Sequence, residues 1–165
     1  MSSDNVMECM EELYQGECLG ELLLDAMLPL FDDPDARLIL GTLAQFETET
    51  KARMRPVMIQ LGLPTLTAET ARATAEEMAS GFAGSSVKQI MAYFQTEISE
   101  RYLPRYRDIA AIAAVAGDPL AIELANDLVT HESLILELAD RVVAGEAAPH
   151  SGVAAVLRYP VPAYI

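Results

Sequence analysis

The feature that most constrains this chain is a long apolar stripe that two polar residues interrupt. Between residues 124 and 142 the large apolar side chains recur three or four positions apart, as on one face of a helix. These residues are Leu124, Leu128, Ile135, Leu138 and Val142. His131 and Glu132 lie halfway along the stripe, where a carboxylate is costly unless it is paired, protonated or bound to a metal ion. We therefore expect a helix whose buried face carries a polar site.

Three further segments show the same pattern, each with a glutamate in the middle of an apolar stripe. These glutamates are Glu17, Glu47 and Glu97. Together with the first segment they predict four long helices, at residues 6–30, 34–61, 86–115 and 119–144. The dipeptides Asp33-Pro34 and Asp118-Pro119 are typical helix starts, with Asp as the cap and Pro at the first helical position.

The connections between these helices indicate how they are arranged. A tight turn joins the first two helices, which must be antiparallel neighbours. About two dozen residues, including a short helix at 68–80, join the second and third helices and can cross the whole bundle. The prediction is an all-α, up-down four-helix bundle over residues 1–145. Residues 146–165 are apolar but contain three prolines, so we expect an extended tail packed on the bundle or on a partner subunit.

Composition excludes several classes of function. The net charge of −14 repels nucleic-acid phosphates and anionic lipid heads, so neither nucleic acid nor membrane is an expected partner. No glycine-rich phosphate loop indicates a nucleotide cofactor. Cys9 and Cys18 lie too far apart on one predicted helix for a disulfide within it, which favours reduced thiols. Since there is also no basic, apolar leader and no uncharged run of about 20 residues, the expected location is the cytoplasm.

The polar interruptions fall near the middle of their helices and therefore at one height in an antiparallel bundle. Four carboxylates (Glu17, Glu47, Glu97 and Glu132) and the His131 imidazole would then meet in the core. Like charges at that range cannot all ionise without a counter-ion. A divalent cation is the simplest counter-ion, and carboxylates with an imidazole suit iron, manganese or zinc. The sequence therefore predicts a metal site formed by these five residues.

This arrangement resembles the ferritin-like superfamily of di-iron carboxylate four-helix proteins, over residues 6–145. That family has Glu on helix one, Glu-x-x-His on helix two, Glu on helix three and Glu-x-x-His on helix four, with a long crossover between helices two and three. Here Glu17, Glu47, Glu97 and the pair His131-Glu132 occupy these helices. The resemblance implies a ferritin-like bundle that binds iron or another divalent metal. With oxygen it would act as a non-haem oxidase or oxygenase on a small molecule.

The chain also departs from that family's pattern. Thr50 stands where helix two would carry His, and Leu128 stands three positions before His131, where helix four would carry Glu. At most five of six ligands remain, so the set could hold one metal ion, hold two weakly, or hold none. The alternative function is a non-catalytic ferritin-like bundle with a degraded site, acting as a binding or oligomerisation module. Apolar faces that contain Gly would suit a homodimer in either case.

Each predicted ligand has a structural interpretation as well. At one helical turn of separation, Lys51 could pair with Glu47 and Arg101 with Glu97. His131 could be an ordinary hydrogen-bonded core histidine. The sequence therefore assigns no catalytic residue, and it names neither the substrate nor the reaction.

Overall fold

The computed structural model describes residues 3–158, and this part of the chain is helical, without β-strands. The all-α class predicted from the sequence is confirmed. The helices are α1 (Ser3–Met27), α2 (Pro34–Gln60), α3 (Ala71–Ser80), α4 (Val87–Glu97), α5 (Leu103–Ala116), α6 (Pro119–Ala144) and α7 (Ser151–Val156). A short 3₁₀ turn, Leu28–Leu30, follows α1, and a π turn, Ile98–Tyr102, joins α4 to α5.

The ends of the long helices follow local signals in the sequence. Asp33 caps α2 by accepting a hydrogen bond of 2.9 Å from the Ala36 N–H, and Asp118 caps α6 in the same way. Gly145 ends α6 in the left-handed conformation, with φ of 75°, where a Cβ would be strained. Helix α2 continues through Pro56.

The π turn explains how the third long helix passes Pro104. This proline has no N–H to donate to the carbonyl four residues earlier, and its ring would clash with that carbonyl in a regular helix. The chain widens just before it, and the Leu103 N–H donates to the Ile98 carbonyl, five residues back. The third long helix therefore passes Pro104 through a wider turn rather than a break.

Two apolar clusters, one towards each end of the long helices, form the core. We call them the Leu40 cluster, which includes Met27 and Leu138, and the Met58 cluster, which includes Leu13 and Leu128. Along α1 and α6 the Met58-cluster residues come first, whereas along α2 and from α4 into α5 the Leu40-cluster residues come first. Helices α1 and α6 therefore run in one direction, and α2, α4 and α5 run in the other.

The long connection between α2 and α4 joins two helices that run in the same direction, so it must return along the length of the molecule. It does so along α1, against which α3 packs. The Tyr14 hydroxyl donates to the Thr65 carbonyl, and the Gln15 side chain bonds the Leu66 carbonyl and the Ala68 N–H. Helix α3 begins at Ala71, later than the predicted residue 68.

The segment after α6 differs from the prediction. Residues 151–156 form α7 rather than an extended segment, and Val153 and Leu157 bury their side chains against the Leu40 cluster. Packing of these two apolar residues stabilises a short helix that local sequence alone does not predict. The rest of the predicted tail, residues 159–165, lies outside the described residues. None of the helices in residues 3–158 is both long enough and apolar enough to cross a membrane.

Candidate metal centre

Three helices bring three polar side chains together where the two apolar clusters meet. Glu17 of α1, Glu47 of α2 and His131 of α6 are only 2%, 7% and 2% exposed. The His131 Nε2 atom lies 3.2 Å from Glu17 Oε2 and 3.3 Å from Glu47 Oε2. One ligand atom from each residue lies within 4.8 Å of the others, so this buried Glu-Glu-His group could hold a metal ion.

Two atoms of this group lack a hydrogen-bond partner among residues 3–158. They are Glu17 Oε2 and His131 Nε2, which approach each other without hydrogen-bond geometry. Buried polar atoms are almost always paired, because each unpaired atom costs about 1–3 kcal/mol. Two unpaired atoms that face one point are therefore the arrangement expected of a site that binds a further group.

The other ring nitrogen of His131 is held by a residue that the sequence marked as a departure. The Thr50 hydroxyl lies 3.0 Å from His131 Nδ1, and Arg53 donates a hydrogen bond of 3.2 Å to the same hydroxyl oxygen. The Phe46 ring packs against the imidazole, with ring centroids 4.2 Å apart. Thr50 thus orients His131 rather than replacing a ligand. Its spacing of three residues from Glu47, on the same buried face, is the signal that could have identified this role.

Burial and mutual repulsion dominate the electrostatics of the site. Burial raises the pKa of Glu17 well above its ordinary value of 4.5, and the charges of Glu47 and Glu132 raise it further. Burial, and then the charge of Glu47, raises the pKa of Glu132 to about 8. Without a cation the site therefore keeps protons on carboxyl groups that would be ionised in water.

The remaining two predicted ligands lie in different surroundings. Glu132 is 8% exposed and faces the same space as Glu17 and Glu47, but it is not part of the close group of three. Glu97 pairs with Arg101 at 2.7 Å, one helical turn away, and lies outside the site. Lys51 does not pair with Glu47; it forms an ion pair with Glu21 of α1. The structure thus brings Glu17, Glu47, His131 and Glu132 into one region and leaves Glu97 out of it.

Two glycines of α1 allow the neighbouring helices to approach this region closely. A Cβ on Gly20 would lie 2.9 Å from the carboxylate carbon of Glu47, and one on Gly16 would lie 2.7 Å from the Tyr106 hydroxyl. Burial raises the pKa of Tyr106 well above 10, and the charge of Glu17 adds to this effect. Sequence analysis missed Tyr106, although its place four residues after Tyr102 on one helix face was a usable signal.

A cavity of about 130 Å³ lies beside the carboxylates. Its polar lining is Glu17, Glu47, Glu132, Tyr102 and Tyr106. Its apolar lining is Leu19, Leu23, Leu24, Leu43, Met78, Phe94, Ile98 and Ile135, with Gly16 and Gly20 completing the wall. No Lys or Arg is among these lining residues, so no basic side chain of the described part of the chain neutralises the carboxylates from the cavity side.

Carboxylates and an imidazole form a ligand set that suits iron, manganese or zinc, and three protein ligands leave coordination positions open. The chain itself has been compared with known proteins, and no protein-family model, curated protein or solved structure matches it.

Proposed function

We propose that this protein binds one divalent metal ion, with iron as the first candidate, through Glu17, Glu47 and His131. The observation that carries the proposal is the pair of buried, unpaired atoms, Glu17 Oε2 and His131 Nε2, which face Glu47 Oε2. A cation would give each of them a partner and would offset the repulsion between the carboxylates.

The hydrogen bond at the far side of His131 fits this role. Ligand histidines usually donate their second ring N–H to a nearby oxygen, which fixes both tautomer and orientation. If Nδ1 carries the proton and donates to Thr50, then Nε2 presents its lone pair to the two carboxylates. The Thr50 oxygen has two lone pairs, so it accepts this bond as well as the one from Arg53.

The composition of the site favours one metal ion over two. A di-iron centre of the ferritin-like kind needs two imidazoles, whereas His131 is the only one that residues 3–158 bring to this region. Thr50 holds the far side of His131, Leu128 offers no ligand atom, and Glu97 is paired with Arg101. We therefore propose a mononuclear site, with Glu132 as a third carboxylate on the cavity side.

The directions of the helices support the proposal that the architecture is ferritin-like. Helices α1 and α6 run opposite to α2 and the α4–α5 stretch, and a long connection joins the two parallel members, α2 and α4. Within this frame, a bound iron ion would supply oxygen-dependent redox chemistry. The chain's own residues would orient the ion, exclude water from it and offer the adjoining cavity to a small molecule, as in an oxidase or oxygenase.

The test is elemental analysis followed by anaerobic Fe(II) titration, repeated with Mn(II) and Zn(II). The wild type should bind one equivalent and unfold at a higher temperature when it is loaded. Glu47→Gln keeps the shape of the side chain but removes the charge, and it should weaken binding at least tenfold. Glu97→Gln is the matched control and should bind as the wild type does. Absence of binding, or equal binding in Glu47→Gln, would refute the metal site and leave a non-catalytic helical module.

A further inference from the structure

The cavity beside the carboxylates has a polar end and an apolar end. On all four of its long walls the polar residues lie towards the Met58 cluster, and the apolar residues lie towards the Leu40 cluster. On α1, for example, Glu17 precedes Leu23 and Leu24, whereas on the antiparallel α2, Leu43 precedes Glu47. On all four walls, therefore, the cavity lining changes from polar near the Met58 cluster to apolar near the Leu40 cluster.

The π turn aligns the cavity-lining residues of the α4–α5 wall. Phe94, Ile98, Tyr102 and Tyr106 follow one another at intervals of four residues, and all four line the cavity. In a regular helix of 3.6 residues per turn, such a series would drift around the axis. The wider turn at Ile98–Tyr102 reduces this drift and keeps two aromatic hydroxyls on the same wall as two apolar side chains.

At the polar end, the Glu132 carboxyl has no hydrogen bond or ion pair with any residue in the described part of the chain, although its side chain is more than nine-tenths buried. It lines the cavity with Glu17 and Glu47, which also lack a basic partner there. Carboxyl oxygens accept hydrogen bonds, and because no Lys or Arg is among the lining residues, the cavity offers an anion no cationic partner. A carboxyl that opens into the cavity without a donor from the described residues leaves that position to a donor from the ligand.

We propose that this cavity binds a small, mainly apolar molecule that carries one hydrogen-bond-donating head, an amine or an alcohol, and that it excludes carboxylates and phosphates. The head would donate to Glu132 and the apolar body would lie among the Leu, Ile, Met and Phe side chains. An engineered cavity of similar volume, lined by Leu, Ile and Phe, holds benzene, so a body of about six carbon atoms fits. As the substrate site of the metal centre this inference rests on the proposed function, whereas the binding itself does not require the metal.

The test uses three probes with one six-carbon chain: hexylamine, hexan-1-ol and hexanoate. Binding to the purified protein is measured calorimetrically, with and without one equivalent of Fe(II) under anaerobic conditions. We expect one equivalent of amine or alcohol to bind at least tenfold more tightly than hexanoate, and the stronger of the two identifies the head. Equal or tighter binding of hexanoate would overturn the proposal.

Two variants locate the binding site. Glu132→Gln should weaken hexylamine binding at least tenfold. Met78→Trp fills the cavity from α3 and should abolish the binding of both hexylamine and hexan-1-ol. Glu97→Gln, outside the cavity, should change neither. Probe binding that both cavity variants leave intact would place the ligand elsewhere and refute the inference. Because the metal titration is a separate measurement, loss of the metal site with retained probe binding would refute only the proposed function.

Discussion

Gly20 offers a sharp test of the metal centre, because a single methyl group placed there would displace Glu47. A Cβ on Gly20 would lie 2.9 Å from the Glu47 carboxylate carbon and 3.0 and 3.2 Å from its two oxygens. Ordinary contacts begin at 3.4 Å, so the carboxylate of a Gly20→Ala variant must move by about 0.5 Å. Protein ligands hold their metal ions to within about 0.2 Å. We therefore expect metal affinity to fall at least tenfold, the scale on which orienting contacts matter.

The same substitution should not unfold the protein. Ala is favoured over Gly in a helix interior by about 1 kcal/mol, and the end of a glutamate side chain can shift to relieve the contact. Gly41→Ala, in the middle of α2, is the matched control, since its nearest neighbour would be a Leu28 methyl at 4.0 Å. This control should stabilise the protein by about 0.5–1 kcal/mol and leave metal affinity unchanged.

The assay is anaerobic Fe(II) titration of both variants, together with urea unfolding of the metal-free proteins. The expected result is a folded Gly20→Ala protein with weakened metal binding beside a Gly41→Ala protein with normal binding. If a folded Gly20→Ala protein binds iron as tightly as the control, Glu47 is not a ligand in the position that the structure shows, and the argument fails.

Three further perturbations test separate parts of the structure. Thr50→Val removes the partner of His131 Nδ1 and should lower metal affinity about 10–100-fold, whereas Thr50→Ser should restore it, as measured by the same titration. The pKa of Glu132 is raised from 4.5 to about 8, so the folded metal-free protein retains a proton there that the unfolded chain has lost. The free energy of unfolding should therefore fall as the pH rises from about 5 to 8, by at most about 1.4 kcal/mol per pH unit. Urea titrations across that range should show a flatter dependence for Glu132→Gln, and an equal slope in both proteins would contradict the assignment. Asp118→Ala removes the cap of α6 and should cost about 1 kcal/mol of stability without affecting metal binding; a loss below about 0.3 kcal/mol would argue against the cap.

The helices were predictable because their signals are local. The apolar spacing around His131 and Glu132, and the Asp-Pro starts of α2 and α6, depend only on residues within one or two turns. They therefore also predicted which face of α6 is buried. The short α7 escaped prediction because its stability comes from Val153 and Leu157 packing against distant helices.

The membership of the site was decided by tertiary structure. The sequence placed a glutamate in the middle of four stripes, but it did not determine the rotation of each helix about its axis or its height against its neighbours. The structure brings Glu17, Glu47 and His131 within contact of one another and turns Glu97 towards Arg101, while Tyr106 occupies that wall instead. Side chains at such a site must meet within a few tenths of an ångström. That precision arises only when the whole fold forms. The two apolar clusters must pack, the helices must approach closely at Gly16 and Gly20, and the π turn must form before Pro104.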